Sequence, residues 1–318
     1  MILTTTPNPC VHKIVSFDGD PAGRVVVRPV RSRWQGGGKG INAARAAHRL
    51  GAEVRALTTH GGVAGRILLD GLAAEGIATI GVEVAAETRM STFIHGVDVG
   101  TFREYLEHGG PVDAREEARL RGAFAAALDE ATLVTLNGSL PEESFEGLWE
   151  WAVHEADGRG RRVVVDTYGP AARAAAEAGP WLLKANRSEV EGSFGVAIDD
   201  DAAREEFARA RLRDGCRHVL VTDGARGAWL YSAEGRHRFV PPQIEELNPV
   251  GSGDAMAGAL AARLDAGDAL VDAVRVGVAA GAANATRVGV CDFELAEVEA
   301  LVARVEVRSA RFSAHAPT

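Results

Sequence analysis

Gln35-Gly36-Gly37-Gly38-Lys39-Gly40-Ile41-Asn42 runs directly into Ala43–Leu50, an alanine-rich segment with helical spacing that ends at Gly51. Consecutive glycines let backbone approach a ligand closely, and a helix start presents N–H groups with no partner in the helix. Outward from this unit the same grammar repeats. Short apolar runs bounded by Gly, Pro, Asn or Asp read as buried strands: Ile2–Thr6, Val54–Thr59, Leu133–Leu136, Arg162–Val165, Trp181–Lys184 and His218–Thr222. Between them lie Ala- and Leu-rich segments of helical spacing: Ala64–Glu75, Ala114–Glu130, Glu142–Glu155, Asp200–Arg213 and Ala255–Leu264. Alternating strand and helix predicts an α/β fold, a mostly parallel sheet covered on both faces. Trp229–Tyr231 and Arg238–Val240 read as a late hairpin.

Two stretches interrupt the alternation. Val11–Trp34 and Arg89–His108 hold strand-like pieces (Val25-Val26-Val27 and Thr92-Phe93-Ile94) but no good helix. Structureless loops of that length are uncommon, so a small accessory sheet is expected, a discontinuous lid of 11–34 and 89–108 on a core of 1–10, 35–88 and 109–318. Ordinary loops are the bland alternative.

Composition narrows the function. The chain has 318 residues, 46% of them hydrophobic, and 44 acids against 35 Lys and Arg give a net charge of −9. That balance argues against a general nucleic-acid binder. No apolar run reaches the ~18 residues of a membrane span, and the start has no signal-peptide pattern, so a soluble cytoplasmic protein is expected. Cys10, Cys216 and Cys291 are scattered, with no metal or disulfide spacing. Against the acidic background, Pro21–Ala52 holds no acid, where about four would be average, and carries Arg24, Arg28, Arg31, Arg33, Lys39, Arg45 and Arg49. Arg24, Arg28 and Lys39 are read as a site for a small anion, Arg45 and Arg49 as a solvated helix face.

The glycine loop at 36–40 is not a Walker A motif, because Arg33 stands where the first Gly belongs and Gly40 follows Lys39. A dinucleotide fingerprint over Gly38-x-Gly40-x-x-Ala43 lacks the acid a ribose would need. A second loop, Asn248-Pro249-Val250-Gly251-Ser252-Gly253-Asp254, also opens an Ala-rich helix. Its N–H groups suit an anion, and Asp254 beside them could take a proton from an attacking hydroxyl; the alternative is a helix N-cap. Asn186 and Glu189, three apart at a helix start, suit a hydrated Mg²⁺ or a capping box. Thr222-Asp223-Gly224-Ala225-Arg226-Gly227 is a phosphate-supporting loop or only a tight turn.

Taken in order, these motifs identify a resemblance. Thr6-Pro7-Asn8-Pro9, Gly37-Gly38-Lys39-Gly40-Ile41-Asn42, Asn137-Gly138-Ser139-Leu140-Pro141, Lys184–Glu189 and Gly251-Ser252-Gly253-Asp254 resemble the PfkB-type sugar kinases of the ribokinase superfamily, along nearly the whole chain. Gly-Gly-Lys-Gly-Ile-Asn and Thr88-Arg89 resemble its 1-phosphofructokinase and tagatose-6-phosphate kinase branch. The resemblance implies a Rossmann-like three-layer α/β/α core with a small β-sheet lid that often dimerises, ATP as donor and Mg²⁺ as cofactor. It implies Asp254 as base and Gly251, Ser252 and Gly253 as anion hole. It implies Lys184, Asn186 and Glu189 at Mg²⁺ and phosphates, Thr222, Gly224 and Gly227 on ATP, and Asn284 near the adenine. His12, Gly37, Gly38, Lys39, Asn42, Arg89 and Ser139 would face the sugar phosphate, with Arg28 reaching it from the lid. The departures fall on the acceptor side. His12 stands where the family has a sugar-binding Asp, Met90-Ser91 replaces Ile-Asn after Arg89, Asn137 replaces Ser, and Pro249 replaces Thr. The expected activity is γ-phosphoryl transfer to a hydroxyl of a small phosphorylated sugar, fructose 1-phosphate first. Tagatose 6-phosphate or another hydroxylated metabolite is the alternative within the class, and a catalytically silent sugar-phosphate sensor outside it.

Overall fold

The computed structural model describes residues 1–97, 100–141, 145 and 147–310. In chain order the elements are β1 (Ile2–Thr6), β2 (Cys10–Phe17), β3 (Arg31–Gly37), α1 (Lys39–Arg49), β4 (Val54–His60), α2 (Gly62–Ala74), β5 (Ala78–Glu83), β6 (Arg89–Gly96), β7 (Thr101–Leu106), α3 (Ala114–Ala127), β8 (Leu133–Asn137) and α4 (Leu148–Asp157). They continue as β9 (Arg162–Asp166), α5 (Pro170–Glu177), β10 (Leu182–Asn186), α6 (Arg187–Phe194), α7 (Asp201–Arg213), β11 (His218–Thr222), β12 (Ala228–Ser232), β13 (Gly235–Val240), α8 (Ser252–Asp265), α9 (Leu270–Ala285), α10 (Leu295–Val302) and β14 (Glu306–Ala310).

The large sheet runs β14-β13-β12-β11-β10-β9-β8-β1-β4-β5. From β11 to β5 all neighbours are parallel, and β12, β13 and β14 add antiparallel to one edge. Successive strand residues serve opposite faces. Ile2, Val164, Leu182 and Leu220 join one core with residues of α1, α8 and α9. Leu3, Val163, Val165, Leu183, Val219 and Val221 join the other with residues of α3, α4 and α7. Strands buried on both faces read as continuous apolar runs, and burying each Val, Leu or Ile side chain contributes about 1.5–3 kcal/mol. The result is the expected three-layer α/β/α core.

A second sheet, β3-β2-β6-β7, is the expected small lid. Its details differ from the sequence reading. Val25-Val26-Val27 lies outside any strand, and Val25 and Val26 are exposed. The strand is instead β3, which runs through Gly36 and Gly37 up to the glycine loop and pairs Gly37 with Cys10 of β2. Its charged first half and glycine end show no alternation to read. The glycines are there for closeness: a Cβ at Gly36 would lie 2.9 Å from Leu68, and one at Gly37 would overlap the His12 ring at 2.0 Å. Helix α1 begins at Lys39, four residues before the alanine run. The helix expected over Glu142–Glu155 is observed as α4; residues 142–144 and 146 of that expectation, with 98–99 of the lid and 311–318 of the core, lie outside the described residues.

The chain crosses from β1 through β4 and β5, then returns to β8 on the other flank of β1. This reversal makes β1/β8 a topological switch point, where open α/β sheets form clefts at their strand C-termini. The loops there meet: Asn8 Nδ2 donates to Ser139 Oγ at 3.0 Å. Helices α1 and α8 pack closely over the same end, where a Cβ on Gly258 would collide with Ala43 O at 2.1 Å. Among the described residues no helix is long and apolar enough to cross a membrane.

Candidate active site

A cleft of about 1010 Å³ opens at the strand C-termini, between the large sheet and the lid. Pockets for one small ligand run from about 300 to 1,000 Å³, so this cleft stands at the top of that range. Its floor is built by rigid elements. Asp254 lies in the first turn of α8 and is 7% exposed. Asn42 Nδ2 of α1 donates to Asp254 Oδ2 at 2.8 Å. Burial pushes the Asp254 carboxyl up to about 6; Lys39 opposes that rise, Asp166 adds to it, and the Asn42 bond and Lys184 oppose it. The side chain does not cap its helix, whose N-cap is Gly251 with φ 83° and no side-chain cap.

The loop before α8 corrects one expectation. Ser252 N donates to Pro249 O at 3.1 Å, so that N–H is spent on the turn, and Ala255 N to Gly251 O at 2.8 Å is the first bond of the helix. The N–H groups ahead of it, on Gly253 and Asp254, both belong to cleft-lining residues. A Cβ on Gly253 would stand 3.3 Å from Lys184 Nζ, so an ammonium faces the glycine cradle.

Lys184 and Lys39 meet on a residue absent from the sequence reading. Asp166, fully buried at the end of β9, accepts from Lys184 Nζ at 2.8 Å and from Lys39 Nζ at 3.0 Å. Burial would raise its pKa, but the two ammonium groups outweigh burial and hold it below the usual carboxylate range. Burial likewise works against the Lys39 charge, and Asp166, Glu189 and Asp254 overcome it, leaving the ammonium firmly protonated. Lys39 also pairs with Glu189. Nothing local marks Asp166; the only sequence signal is an Asp closing a strand at the C-terminal edge of the sheet.

Asn186 and Glu189 form the capping box. Asn186 Oδ1 accepts from Glu189 N at 2.9 Å, and Glu189 Oε2 accepts from Asn186 N at 2.8 Å. Both still line the cleft. With these oxygens engaged, and no cluster of three His, Cys, Asp or Glu able to hold a metal among the described residues, a protein cage for an ion is absent. The pair fits a hydrated Mg²⁺ carried largely by phosphates. Thr222, Gly224 and Gly227 line the far end beside Ala228, Pro241, Met256, Val278 and Ala282. This apolar slot suits a flat base, and the glycine turn between β11 and β12 suits its phosphates.

Asn284 does not line the slot. It is fully buried behind it, donating to Val250 O at 2.9 Å and Ser252 Oγ at 3.0 Å and accepting from Cys291 N at 2.7 Å. Its amide has enough partners to pin the loop before α8, which leaves it no direct role toward a ligand.

The lid supplies different material. His12 lines the cleft from β2, 3% exposed, with its ring 4.8 Å from that of Phe93 and its Nε2 without a hydrogen-bond partner. Burial, and then Arg45 and Arg89, lower its pKa to about 3, so the imidazole is neutral. Gly37 serves this ring and does not line the cleft. Gly38 does, and so do Ser139 and Arg89. Arg89 also donates to Asn8 O at 3.0 Å and Glu107 O at 3.3 Å, tying the lid to the β1 loop. Glu104 of β7, unmarked in the sequence, lines the cleft and accepts from Ser91 Oγ at 2.7 Å. Arg28 and Arg24 are exposed and outside the cleft, because the segment carrying them is loop. Arg45, read as solvated, is 1% exposed and fully paired, whereas Arg49 is a partly exposed ion-pairing residue as a surface face requires.

The chain is similar to known proteins in sequence and in fold. The model of the pfkB family carbohydrate kinases matches residues 6–296. A 1-phosphofructokinase of Haloferax volcanii is 34% identical over 280 residues, spanning 87% of this chain and 88% of its own. A 1-phosphofructokinase of Bacillus subtilis is 29% identical over 285 residues, spanning 90% and 92%. The tetrameric inhibited form of phosphofructokinase-2 from Escherichia coli superposes with a TM-score of 0.87 at 26% identity, over 95% of this chain and 98% of that one. Sequence and fold agree, and the chain belongs to the pfkB family of carbohydrate kinases.

Proposed function

We propose that the protein is an ATP-dependent kinase of a small phosphorylated sugar, with fructose 1-phosphate as the leading acceptor. The observation that carries this reading is the buried Asp254 carboxylate beside the Gly253 cradle, across from two lysines fixed on Asp166. Asp254 takes the proton of the acceptor hydroxyl as its oxygen bonds to the γ-phosphorus, and the bond from that phosphorus to the β,γ-bridging oxygen breaks to release ADP. N–H groups of Gly253 and Asp254 and the Lys184 ammonium hold the charge on the transferred group. Lys39 and Arg89 hold the acceptor phosphate, with Asn8, Gly38 and Ser139 around the sugar. Mg²⁺ held through water by Asn186 and Glu189 would neutralise the donor's phosphate oxygens. The slot ending at Thr222, Gly224 and Gly227 takes the nucleotide.

Two 1-phosphofructokinases among the relatives support this acceptor. Neutral His12, and Glu104 held by Ser91, bear on which sugar is preferred. Exposed Trp34, Tyr105, Val25 and Val26 support a homodimer through the lid, which sedimentation at several concentrations would test. ADP production measured over a panel of phosphosugars and nucleosides tests the function. Turnover is expected with a sugar phosphate, and turnover confined to non-phosphorylated acceptors would overturn the reading.

A further inference from the structure

Arg45 is the most completely buried guanidinium near the cleft, and the phosphoryl-transfer chemistry above gives it no task. It sits one turn after Asn42 on α1, so the two side chains share a face. Its Nε and Nη2 pair with Glu75 at the end of α2, Nη2 to Oε1 at 2.9 Å. Nη2 also donates to Gly36 O of β3 at 2.7 Å, and Nη1 donates to Asn42 Oδ1 at 3.2 Å.

The last contact has a consequence at Asp254. An amide can present either its oxygen or its NH₂ to a neighbour, but a guanidinium has donors only. Arg45 therefore fixes Asn42 with its oxygen inward, which leaves the NH₂ facing Asp254 Oδ2 at 2.8 Å. With Oδ2 held, Oδ1 is the carboxylate oxygen that carries no hydrogen bond among the described residues. We propose that Arg45 is a positioning residue for phosphoryl transfer: through Asn42 it holds one oxygen of Asp254 and leaves the other to receive the acceptor's proton. Without it the Asn42 amide can turn, and its oxygen would face a carboxylate, a repulsive contact in a buried setting. Glu75 and Gly36 O complete the device by orienting the guanidinium from α2 and β3.

The inference rests on Asp254 being the base. The groups facing Asp254 are Asn42 and Lys39 of α1, Asp166, Lys184, Cys10 and Cys291. The test is the pH profile of kcat with ATP and the best sugar phosphate. R45M should move the acid limb upward by about one to two pH units, the size of one lost hydrogen bond to a carboxylate, and lower kcat near that limb by about ten- to a hundredfold with the KM of ATP unchanged. The R45M and N42L changes should be non-additive: in the N42L background R45M should shift the limb no further. A simple loss of positive charge would persist in that background and would overturn the proposal. R45K keeps the charge, but one ammonium cannot serve Glu75, Gly36 and Asn42 together, so it should shift the limb in the same direction if R45M does not fold. A limb at the wild-type position in whichever variant folds overturns the role of Arg45. Wild-type kcat in D254N would instead overturn the base itself, so the two failures are distinguishable.

Discussion

The floor and the lid of the cleft are built from opposite materials. On the floor, Lys39, Asp166, Lys184 and Asp254 belong to helices and strands of the core, and each is tied by hydrogen bonds of 2.8–3.0 Å. On the lid, the contributed groups are a neutral ring whose Nε2 has no hydrogen-bond partner, an exposed carboxylate on an outer strand and an arginine occupied partly with backbone. Reacting groups need fixed positions and shifted pKa values, which only burial with compensating partners provides. Recognition of one sugar against another needs only a few kcal/mol of difference, which a few polar contacts can supply. The floor is therefore constrained by mutual charge, and the lid groups are held by fewer and weaker contacts.

The strongest test of that contrast is on the floor. Asp254→Asn is expected to lower kcat by roughly 10²–10⁴ with little change in the KM of ATP, as removal of a base should. A carboxyl that serves as a base must be ionised. Activity should thus fall as pH drops through about 6, the value to which burial raises Asp254. Steady-state rates from pH 5 to 8 check both, and a flat profile with a fully active variant would return Asp254 to a structural role.

Next in size is Asp166→Asn. Removing one partner of a buried charge network leaves two ammonium groups uncompensated, which costs about 3–5 kcal/mol. Denaturant unfolding should record that loss. The native pairing is present above the carboxyl's unfolded pKa and is lost as pH falls through its depressed folded value, so the difference between variant and parent should narrow in acid.

Lys39→Ala and Arg89→Ala compare the two regions directly. Each should raise the KM of a phosphorylated acceptor about 10- to 100-fold, the worth of a charge-assisted contact, with ATP binding nearly intact. Only Lys39→Ala should also lower the unfolding midpoint, because it strips Asp166 and Glu189 of a partner. If both variants lose stability equally, the lid is as tightly built as the floor.

The smallest effect belongs to the lid alone. His12→Asp should change the ratio of kcat/KM between fructose 1-phosphate and the best competing acceptor by about tenfold, since an imidazole that can donate is replaced by a group that only accepts. A constant ratio across the acceptor panel would leave His12 as packing against Phe93 and Gly37.

What was legible in the sequence follows from locality. The strand–helix alternation is written in each segment's own composition, the glycine loop before Asp254 in its glycines, Asn186 and Glu189 in their spacing at a helix start, and Lys184 in the resemblance of its motif; Gly253, Asp254, Lys184, Asn186 and Glu189 meet in one cleft. Strand β3 was misplaced because its glycines record the space needed by His12 and Leu68, which are distant in sequence. Val25-Val26-Val27 has strand composition but no partner strand to pair with.

Sequence alone determined the fold class and the glycine loops, which depend on backbone freedom and on periodicities within a few residues, and the family, which is carried by the order of short motifs. Tertiary structure decided which charges act together. Asp166 is an unremarkable strand-ending residue until the parallel order β8-β9-β10 sets it beside Lys184, and the packing of α1 over the same edge brings Lys39 to it. Arg45 reads as a surface residue on an Ala-rich helix until β3 and the end of α2 enclose it. Electrostatic roles are set by distance and burial, and for residues that are not sequence neighbours only the packed chain fixes either.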